Sequence, residues 1–155
     1  MKIFIIFFYL FLVLPSYLSA LEKGTWSFVK TDEYCYIGSQ ATETDLPPEK
    51  KRGDFYILVY KNIGNPSVIV QIEAGYKYKL DNKINVRIDK SDYIFYTTED
   101  LPETAWTDND EKIIFAMKKG LKLVVTGESN RGTVTNDTYT LKGFTASYNK
   151  LIKDC

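Results

Sequence analysis

The side chains most often used in catalysis are scarce in this sequence. Its 155 residues contain no histidine, which removes the commonest general base and the commonest metal ligand. The only cysteines are Cys35 and Cys155, and in a disulfide neither is free to act as a nucleophile or zinc ligand. Paired carboxylates or a Ser–Lys pair remain, but no spacing points to either. The composition therefore argues against an enzyme and predicts no metal and no cofactor.

Three acidic residues keep an enzymatic alternative open. Asp108, Asp110 and Asp137 are the carboxylates that an envelope hydrolase or isomerase would use. Asp108, Asn109 and Asp110 also suggest a calcium loop, but an EF-hand needs further alternating ligands, a central glycine and a closing glutamate. Lys112 and an apolar run follow instead, so the segment is better interpreted as the cap of a helix.

The candidate binding loop consists of Ser129, Arg131, Gly132 and Thr133, together with Asp137. The favoured interpretation is a hairpin connection in which Gly132 supplies a positive φ and Arg131 pairs with Asp137. The alternative is a small anion or carboxylate site, in which Arg131 and backbone N–H groups are the donors.

Two further surface features have ordinary explanations. The basic run Lys50-Lys51-Arg52 is flanked by Glu49 and Asp54 and is interpreted as a solvated turn, so no nucleic-acid partner is predicted.

Many tyrosines fall on or near predicted strands, and they form either core and rim positions or an exposed face that stacks against sugars or proteins. These are Tyr34, Tyr36, Tyr56, Tyr60, Tyr76, Tyr78, Tyr93 and Tyr96.

The first twenty residues have the pattern of a signal peptide. Lys2 precedes an unbroken apolar run over residues 3–14, and Ser19-Ala20 offers a cleavage point before Leu21. An uncleaved anchor is the less favoured alternative, because Pro15 and two serines interrupt the stretch. Two cysteines in an exported chain most simply form one disulfide, Cys35–Cys155. No transmembrane segment is expected after cleavage.

The elements that must position these residues are mostly strands of one domain, residues 21–155. Apolar residues alternate over most of it, as in half-buried strands, and a polar loop is expected at residues 40–53. Helices are predicted at 109–119, with polar caps before and glycine after, and at 144–153. The fold class is mainly β, either an antiparallel sandwich or a curled sheet of seven or eight short strands with two helices. Strands are expected at residues 26–29, 34–37 (ended by Gly38-Ser39), 54–63, 67–74, 84–88, 93–97 (after a turn at 90–92), 121–126 and 133–141.

The second half of the chain contains a series of short motifs, namely Ala105-Trp106, Ala116-Met117-Lys118-Lys119-Gly120, Val125-Thr126-Gly127, Ser129, Arg131-Gly132-Thr133, Asp137-Thr138-Tyr139-Thr140-Leu141, Gly143-Phe144 and Cys155. Together these motifs resemble the invasion-associated locus B family of exported bacterial proteins. Arg52-Gly53-Asp54-Phe55-Tyr56 and Gly75-Tyr76 match the family more loosely. Some members carry a central cysteine pair that this chain lacks.

The resemblance implies a periplasmic or surface-associated protein of a Gram-negative bacterium, in a family linked by name to host-cell invasion. It implies no known activity and no defined ligand. The sequence therefore predicts a non-enzymatic binding protein whose partner is another protein or an envelope component. Besides the carboxylate enzyme, an envelope-stability protein without a small ligand remains an alternative.

Overall fold

Ten strands and two helices make up the computed structural model, which describes residues 21–155. The predicted signal peptide, residues 1–20, lies outside the described residues. All strand pairs within the two five-stranded sheets are antiparallel. The first sheet has the order β1 (Ser27–Lys30), β2 (Tyr34–Gln40), β4 (Tyr56–Asn62), β5 (Ile69–Glu73) and β8 (Thr104–Ala105). The second has the order β3 (Glu43–Thr44), β10 (Val134–Thr140), β9 (Lys122–Glu128), β6 (Ile84–Ile88) and β7 (Ser91–Phe95).

Both sheets bury one face in a common hydrophobic core. Ile37, Val59 and Val70 come from the first sheet, and Val86 and Val125 from the second. Alternate residues point away from this core, as the two-residue period of a strand requires. The mainly β, sandwich-like fold with two helices is therefore confirmed. The expected number of seven or eight strands is too low, because β3 and β8 have only two residues each.

β2 extends further than the sequence indicates. The expected end at Gly38-Ser39 is wrong, since both residues continue the pairing with β4 as far as Gln40. A Cβ at Gly38 would lie 2.6 Å from Cδ2 of Leu58 and 2.9 Å from Cδ2 of Leu21. The glycine therefore marks a close approach of side chains within the strand.

Helix α1 (Asp110–Lys119) lies within one residue of its predicted bounds. The Asn109 side chain accepts a hydrogen bond from the Lys112 amide, 3.0 Å, so the capping interpretation is confirmed. Asp110 and Glu111 lie in the first turn, while Lys118 and Lys119 lie in the last. These charges match the positive and negative ends of the helix dipole.

Helix α2 (Phe144–Asp154) closes the chain against the first sheet. Cys155, which follows it, forms the predicted disulfide with Cys35 of β2, and their Cα atoms are 5.9 Å apart. The prediction of this bridge is confirmed. Within residues 21–155, neither helix is long and apolar enough to cross a membrane.

Candidate functional site

A cavity of about 730 Å³ opens where three loop segments meet. We call it the cationic cleft, because five of its lining residues are basic and none is acidic. The segments are the loop after β3, the residues that follow β5, and the β9–β10 hairpin. The cleft is lined by Leu46, Lys50, Lys51, Arg52, Gly75, Tyr76, Lys77, Ser129, Asn130, Arg131, Thr133 and Thr135.

Two glycines bring the first two segments together. The Gly53 amide donates to the Gly75 carbonyl oxygen, 2.8 Å. Gly75 has φ +69°, and a Cβ there would collide with the Gly53 carbonyl oxygen. A side chain at Gly75 is therefore excluded both by its backbone conformation and by the approach of the other loop. Arg52 and Tyr76 are placed side by side as a result.

A buried ion pair between Arg52 and Asp137 lies at the base of the cleft. The Arg52 guanidinium donates from Nη1 to Asp137 Oδ2, 2.9 Å, and from Nη2 to Oδ1. The two side chains are only 4% and 5% exposed. Thr44 Oγ1 donates to the same carboxylate, 2.7 Å, and the Arg52 guanidinium carbon lies 3.4 Å from the ring centre of Phe55. The guanidinium therefore binds the carboxylate through two hydrogen bonds, stacks on the Phe55 ring and is largely shielded from water.

The expected pairing of Arg131 with Asp137 is wrong, because Arg52 occupies the carboxylate. Arg131 is exposed at the tip of the hairpin, whereas Asp137 is buried within β10. The interpretation of Lys50-Lys51-Arg52 as a solvated turn is also wrong for Arg52. Lys50 and Lys51 are exposed, and all three residues line the cleft.

The hairpin loop uses its own backbone donors. Ser129 Oγ accepts from the amides of Arg131, 3.3 Å, and Thr133, 3.1 Å. The Gly132 amide donates to the Ser129 carbonyl oxygen, 2.8 Å, and Gly132 has φ +84°. These backbone N–H groups are therefore occupied, and an anion in the cleft would be held by side chains.

Hydroxyl groups continue the polar wall of the cleft. Tyr76 and Thr135 share a hydrogen bond of 2.8 Å between their hydroxyl oxygens. Burial raises the pKa of Tyr76, and the hydrogen bond shared with Thr135 partly opposes this. Lys50 Nζ donates to Thr133 Oγ1, 3.1 Å, and so connects the first loop with the hairpin. The cleft therefore presents cations and neutral hydroxyls.

Comparison with known proteins identifies the family. A family model described as "Invasion associated locus B (IalB) protein" matches residues 28–152. The chain belongs to the invasion associated locus B family. The resemblance predicted from the sequence is therefore confirmed, over most of the described residues.

A solved structure shows the same fold. The crystal structure of invasion associated protein B from Bartonella henselae matches with a TM-score of 0.60, over 84% of this chain and 93% of that one. The two sequences are 16% identical, so the likeness concerns the fold alone. No curated protein matches the chain significantly.

Several family-like positions meet at the cationic cleft. Arg52 and Asp137 are 85 positions apart and form the ion pair, while Gly75-Tyr76 packs beside them. The candidate residues Ser129, Arg131 and Thr133 line the cleft. Gly132 shapes the hairpin without lining the cleft, and Asp137 lies beneath it. Lys77 gave no signal in the sequence, because a single lysine between two tyrosines is unremarkable.

The other two candidate carboxylates lie in a second cavity. Asp108 and Asp110 line it together with Glu111, between α1 and α2. Asp110 Oδ1 accepts from the Val70 amide, 2.8 Å, and burial raises the pKa of Asp110. The structure does not bring Asp137 to these residues. No cluster of three or more potential metal ligands occurs within residues 21–155.

Proposed function

We propose that this chain is an exported periplasmic or envelope-associated binding protein, non-enzymatic, whose cationic cleft receives an anionic group of its partner. The proposal rests on one observation: five basic residues and no acidic residue line the same cavity. The family description names an invasion-associated locus and no reaction. An envelope or host component with clustered phosphate or carboxylate groups has the complementary chemistry.

The charge available to a ligand comes from the exposed cations. Asp137 neutralises Arg52 beneath the cleft. Arg52 therefore contributes to the shape of the cleft and adds little net positive charge. Lys51, Lys77 and Arg131 form no side-chain hydrogen bond or ion pair with any other residue of the described chain. Lys50 donates only to the neutral Thr133 hydroxyl, so four cations of the cleft lack a counter-charge. Four uncompensated charges in one concave site raise the local concentration of anions. They favour a ligand with several negative groups over one with a single group.

Calorimetric titration with tripolyphosphate tests this proposal. We expect binding that weakens as salt is raised, because exposed charges are screened. Arg131→Ala should weaken it about two- to fivefold, and the triple variant Lys51→Ala/Lys77→Ala/Arg131→Ala at least about tenfold. Lys122→Ala, an exposed lysine that does not line the cleft, is the matched control. Absence of binding, or equal loss in the control, would contradict the proposal.

Export is tested on protein recovered from the periplasmic fraction of the expressing bacterium. Its intact mass without reduction should correspond to a chain that starts at Leu21 and has lost both thiol hydrogens. The disulfide, whose presence is usual for compartments outside the cytoplasm, supports this expectation. A chain that starts at Met1 with free thiols would contradict export.

The carboxylate enzyme keeps one observation in its favour. Asp108 and Asp110 share a cavity, and the pKa of Asp110 is raised. Helix capping and the Val70 amide contact account for the same residues, which makes the binding function the better supported. Turnover of a chromogenic ester or glycoside that is lost in Asp110→Asn would reverse this preference. An envelope-stability role without a ligand would appear as a lack of binding, with envelope defects on deletion.

A further inference from the structure

The outer face of the first sheet carries an unusual set of side chains. One row across four strands consists of Val29, Tyr36, Tyr60 and Ile69. The next consists of Ser27, Gly38, Leu58 and Gln71, and the Tyr34–Asn62 pair flanks the first row. No charged residue occurs in these three rows.

The second sheet provides the comparison within the same molecule. Its outer face carries the exposed Arg87–Asp92 ion pair, with 2.8 Å between Nη2 and Oδ2. Asn85, Thr126 and Asn136 form the neighbouring row. A solvated sheet face is ordinarily polar and charged in this way. The three uncharged rows, two of which carry tyrosines, therefore set this part of the first sheet apart, and the charged Glu73 lies only in the row beyond them.

This face is concave where the tyrosines lie. A depression of about 360 Å³ is lined by Tyr34, Tyr36, Leu58, Tyr60, Asn62 and Gln71, and we call it the tyrosine face. The rings of Tyr34 and Tyr36 are 6.2 Å apart, with 27° between their planes. Both rings project from β2, which pairs with β1 on one side and with β4 on the other. The backbone that carries the rings is therefore held rigidly.

The tyrosine face also has unused hydrogen-bonding groups. The hydroxyls of Tyr34, Tyr36 and Tyr60 and the Asn62 amide form no hydrogen bond with another residue in the range 21–155. The Gln71 amide nitrogen donates to Glu73 Oε1, 3.0 Å, and Thr104 Oγ1 donates to the same oxygen, 2.6 Å. Gln71 is thereby held in place, with its own carbonyl oxygen left as an acceptor.

We propose that the tyrosine face binds a neutral oligosaccharide. Flat aromatic rings fit the apolar C–H faces of pyranose rings, while phenol and amide groups match sugar hydroxyls. The three rows offer no charged side chain that could pair with an ionic group. A dry interface with a second copy would bury these hydroxyls and amides, which costs free energy wherever they lack partners. This site is separate from the cationic cleft, and the proposal does not depend on it.

An NMR titration of the ¹⁵N-labelled mature protein tests the proposal. The probes are chitotetraose, cellotetraose and maltotetraose, each added to about 10 mM, which covers weak millimolar binding. At least one should shift the amide signals of β2 and β4 and leave the cleft loops unchanged. Tripolyphosphate should shift the cleft loops instead, so failure of one site is distinguishable from failure of the other.

Variants then locate the contact. Tyr36→Ala/Tyr60→Ala should weaken binding of the responding sugar about tenfold, whereas Tyr36→Phe keeps the ring and should lose only about two- to threefold. Ile94→Ala, at an exposed apolar position on β7 of the second sheet, is the control and should bind normally. If the alanine variant fails to fold, the wild-type shift map and Tyr36→Phe still decide the matter. No response to any of the three sugars, unchanged affinity in the variants, or self-association through the same residues would overturn the proposal.

Discussion

At the scale of single residues, the buried pair of Arg52 and Asp137 has the greatest consequence for the cleft. Removing two charges from water is expensive, and their attraction offsets that cost only when the geometry is good and the remaining polar atoms are bonded. Thr44 and the Ala74 carbonyl provide further hydrogen bonds, and only the buried Nε of Arg52 has no partner among the described residues. The pair fastens the loop after β3 to β10, and the cleft is formed between these parts.

Removal of one partner should therefore destabilise the protein strongly. Asp137→Ala leaves the Arg52 guanidinium buried without a counter-charge, and we expect a loss of about 3–5 kcal/mol in the free energy of unfolding. The double variant Arg52→Met/Asp137→Leu should lose less, because no unpaired charge remains. Urea denaturation measures both. The exposed pair offers a control, since Arg87→Ala should change stability little; a similar loss there, or none in Asp137→Ala, would contradict the explanation.

The same ion pair shows what the sequence leaves open. From the sequence, Asp137 is expected opposite Arg131, because both lie in one hairpin. The actual partner comes from a loop 85 positions earlier, in a basic run flanked by two acids that is typical of a solvated turn. A pattern of neighbouring residues cannot predict a contact between positions so far apart in the sequence. In the sequence, the segments around Arg52 and Gly75-Tyr76 are marked only by their loose likeness to the family.

At the scale of elements, local patterns predicted most of the fold. Helix α1 is fixed by its caps and by its end charges, which neighbouring residues supply. The sequence predicts an end of β2 at Gly38-Ser39, yet the strand continues to Gln40, with Leu58 and Leu21 in the space that a side chain at Gly38 would need. The turn expected at residues 90–92 instead precedes Ser91, where β7 begins. Its position depends on a side chain that reaches another strand.

The side chain that determines the position of this turn belongs to Asp89, which lies between β6 and β7 and has φ +50°. Its carboxylate accepts from the amides of Leu121 and Lys122, each at 3.1 Å, and so fixes the β6–β7 turn to the start of β9. Asp89→Ala loses these bonds and retains an unfavourable backbone conformation, so we expect a loss of about 1–2 kcal/mol. Asp89→Gly should recover the backbone part only. Chemical denaturation of both variants separates the two causes, and an Ala variant as stable as the wild type would refute this account.

At the scale of the whole molecule, the disulfide encloses nearly all of the described chain. Cys35 and Cys155 are separated by 120 positions, and the bridge fastens the end of α2 to β2 of the first sheet. Cys35 is fully buried, and Lys30 Nζ donates to the Asp154 carbonyl beside it, 2.8 Å. A disulfide that closes so long a loop stabilises the protein mainly by reducing the conformational entropy of the unfolded chain, in the chain-entropy model.

Loss of the bridge should therefore lower global stability while leaving the fold in place. In the chain-entropy model, Cys35→Ala/Cys155→Ala should lose up to about 4–5 kcal/mol of unfolding free energy, with an additional small loss from the smaller side chain at the buried Cys35 position. Urea denaturation with and without dithiothreitol measures this: the wild type should shift on reduction, and the double variant should not. Far-UV circular dichroism of the variant should remain that of the native protein, because the core of the two sheets does not depend on the bridge. A wild type insensitive to reductant, with its thiols shown to be free, would mean that α2 is held by packing alone, through Phe144 and Leu151.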